Sequence, residues 1–200
     1  MMYSYRIEQA IRAAAALHNG QVRKGKIPYP YVIHPFAVAC IVADYTNDED
    51  VVIAGLLHDT IEDTEYTFAE LEGDFGKAVC AIVREVTAPA PTEDEDRDER
   101  EMWMEKHADY VAQLKEASEG ALIVAAADKI HNMRSMVEEY YGDRPRLRSD
   151  FGDRDEERMK VYQNVGNILN RRLQNDIVHE FNHVFDEYKN FIYEVRDSHA

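Results

Sequence analysis

Apolar residues along this chain return every three or four positions, the spacing of one helix face, and no convincing period-two alternation accompanies them. That pattern confines the chain to an all-α architecture, a compact multi-helix fold. It predicts a first helix from about Tyr5 to His18, which Asn19-Gly20 ends because both residues tolerate left-handed backbone angles. Gln21 to Tyr31, with Gly25, Pro28 and Pro30, reads as a loop. His34-Pro35 opens a helix through about Tyr45, and Asp48 caps another from about Glu49 to Asp59. Thr67-Phe68-Ala69-Glu70 has capping-box spacing and begins a short helix, followed by one from about Phe75 to Thr87. Further helices are expected from about Glu101 to Ala117, from about Gly120 to Tyr141, and through the last fifty residues after a break near Gly142 to Gly152.

The 200 residues suffice for one domain with a substantial core, ending in a helical extension from about Phe151. Ala88 to Arg100 lacks apolar periodicity and is read as an exposed, mobile acidic connector. A net charge of -16 opposes general nucleic-acid binding, which needs a basic face, so an anionic ligand requires a local basic pocket. No apolar run approaches the ~20 residues that cross a bilayer, and the N-terminus lacks a signal-like stretch. A cytoplasmic protein without membrane partners is expected; its oligomeric state is left open. Cys40 and Cys80, set among apolar neighbours, are expected to be buried free thiols.

One segment is chemically dense. Leu56-Leu57-His58-Asp59-Thr60-Ile61-Glu62-Asp63 runs from an apolar stretch into an adjacent His-Asp pair and, within a helical turn, an adjacent Glu-Asp pair. Such groups are costly near a core unless paired or bound to a cation, so the cluster asks for a metal. Asp128 is the lone acid in the apolar run from Ala121 to Ile130 and needs a partner for the same reason. Taken singly, His34 reads as a hydrogen-bonded structural histidine and Asp128 as an ion-pair member. Taken together, two imidazoles and two carboxylates suit a first-row dication such as Mn2+, with other divalent metals possible. Glu62 and Asp63 lie near enough to handle a water or a leaving-group proton, or else simply solvate a helix end. Arg23, Lys24 and Lys26 form the nearest basic cluster, either a polyphosphate grip or a solvated loop.

His34, His58-Asp59 and Asp128 match in order the metal ligands of the HD-domain metal-dependent phosphohydrolases. Within that superfamily, three stretches resemble the hydrolase domain of Rel/SpoT-type enzymes that degrade the alarmone (p)ppGpp. These are His18-Asn19-Gly20-Gln21-Val22-Arg23-Lys24 leading to Tyr31-Val32-Ile33-His34-Pro35, then Leu56 to Thr64, then Ala127-Asp128-Lys129-Ile130-His131-Asn132-Met133-Arg134. The resemblance implies an HD fold and His34, His58, Asp59 and Asp128 on the metal. It implies Glu62 and Asp63 in catalysis and Arg23 and Lys24 on the nucleotide, the arginine stacking on a base. Asn132, Arg134 and Tyr162 are expected as substrate contacts, and His131 as a hydrogen-bonding support for the metal ligands.

Beyond Arg134 the likeness thins. The family's ET-x-x-IY-x-PLA-x-RLG pattern has here Glu157 to Gly166, where Tyr162 is a tolerable match; its Ser-Gly-Glu-Pro-Tyr loop is replaced by Gly25-Lys26-Ile27-Pro28-Tyr29-Pro30-Tyr31. Both departures fall where the nucleotide would lie. The leading expectation is a Mn2+-dependent (p)ppGpp 3′-pyrophosphohydrolase with no room for a synthetase domain. The alternatives are an HD-domain phosphohydrolase of another nucleotide or phosphate monoester, and a non-catalytic nucleotide-binding helical module.

Overall fold

The computed structural model describes residues 3–24, 27–89, 98–152 and 154–197, and is built almost entirely of helices. In chain order these are α1 (Tyr5–Leu17), the two-residue strands β1 (Val22–Arg23) and β2 (Tyr29–Pro30), α2 (Ile33–Tyr45), α3 (Glu49–Leu57) and α4 (Thr60–Asp63). There follow α5 (Phe68–Phe75), α6 (Lys77–Val86), α7 (Glu99–Leu114), α8 (Glu119–Tyr140), α9 (Arg144–Phe151), α10 (Asp155–Arg172) and α11 (Ile177–Asp197). Short polar side chains set several starts. Ser4 accepts from the Ile7 amide, Asp48 from Asp50, and Ser118 from Ala121, while Thr67 and Glu70 cap each other reciprocally.

The central rod is α8, whose Ala121 to Asp128 are all buried. It is covered by α2, α3, α6, α10 and α11, so its first half has no outward face and reads as a continuous apolar run. Small residues let the neighbouring helices approach closely: a Cβ on Gly55 of α3 would lie 3.3 Å from Val42 Cγ2 and 3.4 Å from the Ala39 Cα of α2. Gly166 of α10 is tighter, since a Cβ there would sit 2.9 Å from the Phe181 ring of α11. Among the described residues no helix is long and apolar enough to cross a membrane.

Several boundaries differ from the sequence reading. α3 stops at Leu57, and His58 and Asp59 form the corner before α4 rather than continuing one helix to Asp59. The segment read as a loop holds a minimal antiparallel pair, Val22 with Pro30 and Arg23 with Tyr29, too short to show as alternation. The break near Gly142 to Gly152 encloses α9, begun by Pro145 in its first turn, ended at Gly152 with φ +66°, and pinned by the fully buried Leu147. α7 starts at Glu99 because Asp98 accepts from the Arg100 and Glu101 amides. Cys80 is buried, but Cys40 lies on the outward side of α2 and is exposed, since its apolar neighbours Val38, Ala39 and Val42 face inward. Most of the expected acidic connector, residues 90–97, and Lys26 lie outside the described residues.

Candidate metal centre and adjoining cavity

Three separate elements deliver the proposed ligands. His34 is the second residue of α2, its amide turned by a 2.8 Å hydrogen bond to the Tyr31 carbonyl. His58 ends the fully buried stretch of α3 and Asp59 begins the next turn, so the corner points both side chains inward. Asp128 comes from the middle of α8. His34 Nε2 lies 3.4 Å from Asp59 Oδ2 and 3.2 Å from Asp128 Oδ1. His58 Nε2 lies 3.1 Å from Asp59 Oδ1 and 3.7 Å from Asp128 Oδ1. One donor atom each from His34, His58 and Asp59 falls within 4.8 Å of the others, the spread that a single ion can bridge.

The surrounding hydrogen bonds prepare these donors. His58 Nδ1 is 2.9 Å from the Gly55 carbonyl and donates its proton there, which reserves Nε2 for either a second proton or a metal. That nitrogen is buried and, despite its nearness to the carboxylates, has no partner with hydrogen-bond geometry among the described residues. A buried imidazole nitrogen aimed between two carboxylates calls for a proton or a metal cation at that point, so the donor set fits a divalent metal. His34 Nδ1 meets His131 Nδ1 at 2.8 Å. Burial, followed by the nearby His34 and Arg23, pushes His131 down to about 3, so it is neutral and accepts the His34 Nδ1–H. Tyr31 donates to Asp59 Oδ2 at 2.7 Å, and burial together with the Asp59 charge pushes the phenol far up, keeping it a donor.

Charge is balanced locally. Burial works against a charged His58, yet Asp59 and Asp128 outweigh it and raise the imidazole to about 9 when no cation is present. Burial likewise opposes ionisation of Asp128, but Lys129 and the two histidines hold it well below the usual carboxylate range. Lys129 Nζ sits 2.6 Å from Asp128 Oδ2, and Asn132 Nδ2 lies 2.5 Å from Oδ1.

A cavity of about 180 Å³ opens from the four donors, and Arg23, Glu62, Lys106, His107, Tyr110 and Lys129 help to line it. Glu62 is held at both oxygens: Oε1 accepts the Ala88 amide at 2.7 Å, and Oε2 meets Lys106 Nζ at 2.7 Å. Asp63 is not among the lining residues. The α4 turn carries it toward Tyr31 and His18, where burial and the Asp59 charge raise its carboxyl while the Tyr31 hydroxyl opposes them. Its carbonyl accepts from Gln21 Nε2 at 2.7 Å. Glu62 and Asp63, adjacent in sequence, thus sit in different surroundings.

A second cavity of about 370 Å³ adjoins the first and shares Arg23, Tyr31 and Asn132 with it. Arg23 donates to the Asn132 side-chain oxygen at this boundary. Lys24 and Tyr162 also line the second cavity, with Tyr140, Phe151 and Arg158. Phe151 of α9 lies between two cations, Lys24 Nζ at 5.8 Å and the Arg158 guanidinium at 5.2 Å from the ring centre. Arg134 is not brought to either cavity: it pairs with Glu180 of α11 and borders a separate groove. It lies six residues past Asp128, about 120° around the helix from it. Tyr31, Lys129 and Gln21 stand inside or beside the motifs quoted above and earned no role there; Lys106 lies outside every motif, and no sequence signal marks it.

Comparison with known proteins matches these observations. The sequence model of the HD domain matches residues 10–169, and the chain belongs to the HD-domain family. It is 35% identical over 131 residues, 66% of its own length, to the Escherichia coli K12 bifunctional (p)ppGpp synthase/hydrolase SpoT. It is 37% identical over 130 residues, 64% of its length, to the mouse guanosine-3′,5′-bis(diphosphate) 3′-pyrophosphohydrolase MESH1, of which it covers 68%. Of SpoT it spans 18%, and of a Streptomyces coelicolor GTP pyrophosphokinase 14%. A solved structure of a metazoan orthologue of SpoT, described as hydrolysing ppGpp, superposes with a TM-score of 0.71 at 26% identity, covering 94% of this chain and 97% of that one.

Proposed function

We propose that the protein is a (p)ppGpp 3′-pyrophosphohydrolase that works with Mn2+. One observation carries this reading: the donor cavity and the aromatic cavity are contiguous, and the wall between them is Arg23 and Asn132. A guanosine nucleotide with a 3′-pyrophosphate has the same two-part form, a charged group to be cleaved and a flat base. The HD-domain match and the similarity to the mouse pyrophosphohydrolase support the same substrate.

His34, His58, Asp59 and Asp128 would hold the metal, which when bound lowers the pKa of a water and polarises the phosphate. Within the chain, His131 fixes the tautomer of His34, the Gly55 carbonyl that of His58, and Tyr31 the orientation of Asp59. Glu62 faces the cavity and takes the water proton, while Asp63, outside the cavity lining, bears on it through the Tyr31 hydroxyl that also holds Asp59. Water oxygen bonds to the phosphorus attached to the 3′ oxygen and the P–O3′ bond breaks. The proton that Glu62 took passes to the 3′ oxygen, leaving guanosine 5′-diphosphate and pyrophosphate. Arg23 and Lys24 grip the nucleotide, and Asn132 and Tyr162 contact it from the second cavity.

Metal-stripped protein, with and without Mn2+, is incubated with ppGpp and a panel of nucleotides and phosphate monoesters. Mn2+-dependent release of pyrophosphate from ppGpp is expected. Turnover of another member instead would favour a different nucleotide, a reading that the loop at Gly25 to Tyr31 and the departures at Glu157 to Gly166 also support. Binding without turnover would leave a nucleotide-binding module. Glu62→Gln should keep the metal and lose roughly 10²–10⁴-fold in kcat.

A further inference from the structure

We infer that Lys106 is the cation that receives the departing pyrophosphate, and that its contact with Glu62 is the resting half of an exchange. The inference rests on the pyrophosphohydrolase reading above. A pyrophosphate brings several negative charges into a cavity that already holds Asp59, Asp128 and Glu62. It must therefore meet a cation that can turn toward it.

Among the described residues, three Lys or Arg side chains line that cavity. Lys129 is committed: its ammonium sits 2.6 Å from Asp128 Oδ2, is 17% exposed, and lies 4.9 Å from the Tyr110 ring centre. Pulling it away would strand a buried carboxylate at the donor set. Arg23 is engaged with Asn132 at the boundary of the second cavity, on the nucleoside side. His107 adds no charge, because burial pushes it down to about 4. Lys106 differs from all of these: it is 34% exposed, reaches in from α7 on a flexible stem, and holds a carboxylate that has a second anchor. When Lys106 leaves, Glu62 Oε1 keeps the Ala88 amide, so the carboxylate stays placed while Oε2 is freed.

The exchange joins two events. As the ammonium turns to the pyrophosphate oxygens, Oε2 of Glu62 gains a lone pair for the proton of the attacking water. Water oxygen forms the new P–O bond, P–O3′ breaks, and Glu62 passes the proton it took to the 3′ oxygen. Lys106 then stays with the free pyrophosphate until it departs. A lysine that merely braced Glu62 would affect turnover and leave pyrophosphate affinity unchanged.

The test is product inhibition of ppGpp hydrolysis by the Mn2+-loaded enzyme, with inorganic pyrophosphate and guanosine 5′-diphosphate as probes at fixed free Mn2+. Lys106→Met should raise the inhibition constant of pyrophosphate by roughly 10–100-fold, the loss of one charge-assisted hydrogen bond or two. That for guanosine 5′-diphosphate should hold within about twofold, a difference small beside a lost hydrogen bond. Lys106→Arg should recover most of the difference. In direct titration, Glu62→Gln should bind pyrophosphate more tightly than wild type, because Lys106 is released in advance, and Lys106→Met should erase that gain. An unchanged pyrophosphate constant in Lys106→Met, or weaker pyrophosphate binding in Glu62→Gln, overturns the inference while wild-type turnover preserves the parent reading. A wild type that leaves ppGpp intact overturns both.

Discussion

The two cavities differ in how they are built. The donor cavity draws its four proposed ligands from α2, the α3–α4 corner and α8, elements that pack against one another through buried apolar side chains. The aromatic cavity draws on the β1–β2 hairpin, the C-terminal half of α8, α9 and α10, from Val22 to Tyr162. Met136, Tyr140 and Tyr162 belong to the buried core, but the hairpin and α9 are joined to it by polar and cation–ring contacts: Lys24 to the Asp150 carbonyl at 2.7 Å, Tyr140 to Asp150 at 2.8 Å, and Arg158 over Phe151. A closely packed end suits a task in which misplacement of about 1 Å is costly, and an end walled in part by a two-residue hairpin and α9 can vary there without disturbing the chemistry.

The sharpest way to break this contrast is at the donors. His58→Ala and Asp128→Ala should each abolish metal retention, measured by metal analysis after gel filtration, with turnover lost in parallel. An active, metal-free His58→Ala variant would sink the mechanism. Asp128→Ala should also cost about 3–5 kcal/mol of stability by denaturant titration, because Lys129 is left buried without its carboxylate.

One shell out, His131→Ala should lower metal affinity by roughly 10–100-fold in competition with a chelator, since His34 loses the partner that sets its tautomer. Proton linkage tests the same end. His58 rises from 6.5 unfolded to about 9 folded without metal, so its share of apo stability is complete below pH 6.5 and is lost as pH rises through about 9. Metal must displace that proton, so affinity should climb by about tenfold per pH unit below 9 and level off above it, followed by calorimetry in buffers of different ionisation enthalpy.

At the aromatic end the effects should be smaller and confined to binding. Phe151→Ala should raise KM by roughly tenfold with kcat nearly unchanged, the loss expected from a stacking surface. Arg134→Ala should do least, changing stability by at most ~1 kcal/mol through its exposed pair with Glu180 and leaving KM intact.

The helix starts were readable where a capping side chain marks them, as at Asp48 before α3 and the Thr67–Glu70 box of α5, because those signals are local. α9 escaped because eight residues rich in arginine show little apolar pattern, and its one fully buried anchor, Leu147, gains meaning only against α8 and its neighbours. Arg134 looked eligible from its place in a motif, but the helical phase turns it away from Asp128 and toward α11. Lys106 could not be singled out, since one lysine on an acidic, weakly patterned helix resembles any solvated charge until Glu62, 44 residues earlier, is set beside it.

The sequence by itself determined the all-α class and singled out two imidazoles and two carboxylates as candidate metal donors, because helical periodicity is local and a lone acid in an apolar run demands a partner wherever it goes. Tertiary structure alone decided that Glu62 faces the donor cavity while Asp63 turns to Tyr31, that Lys106 holds Glu62, and that α9 walls the second cavity. Those outcomes depend on the angle at the α3–α4 corner and on contacts between residues tens of positions apart, which packing settles and no local pattern encodes.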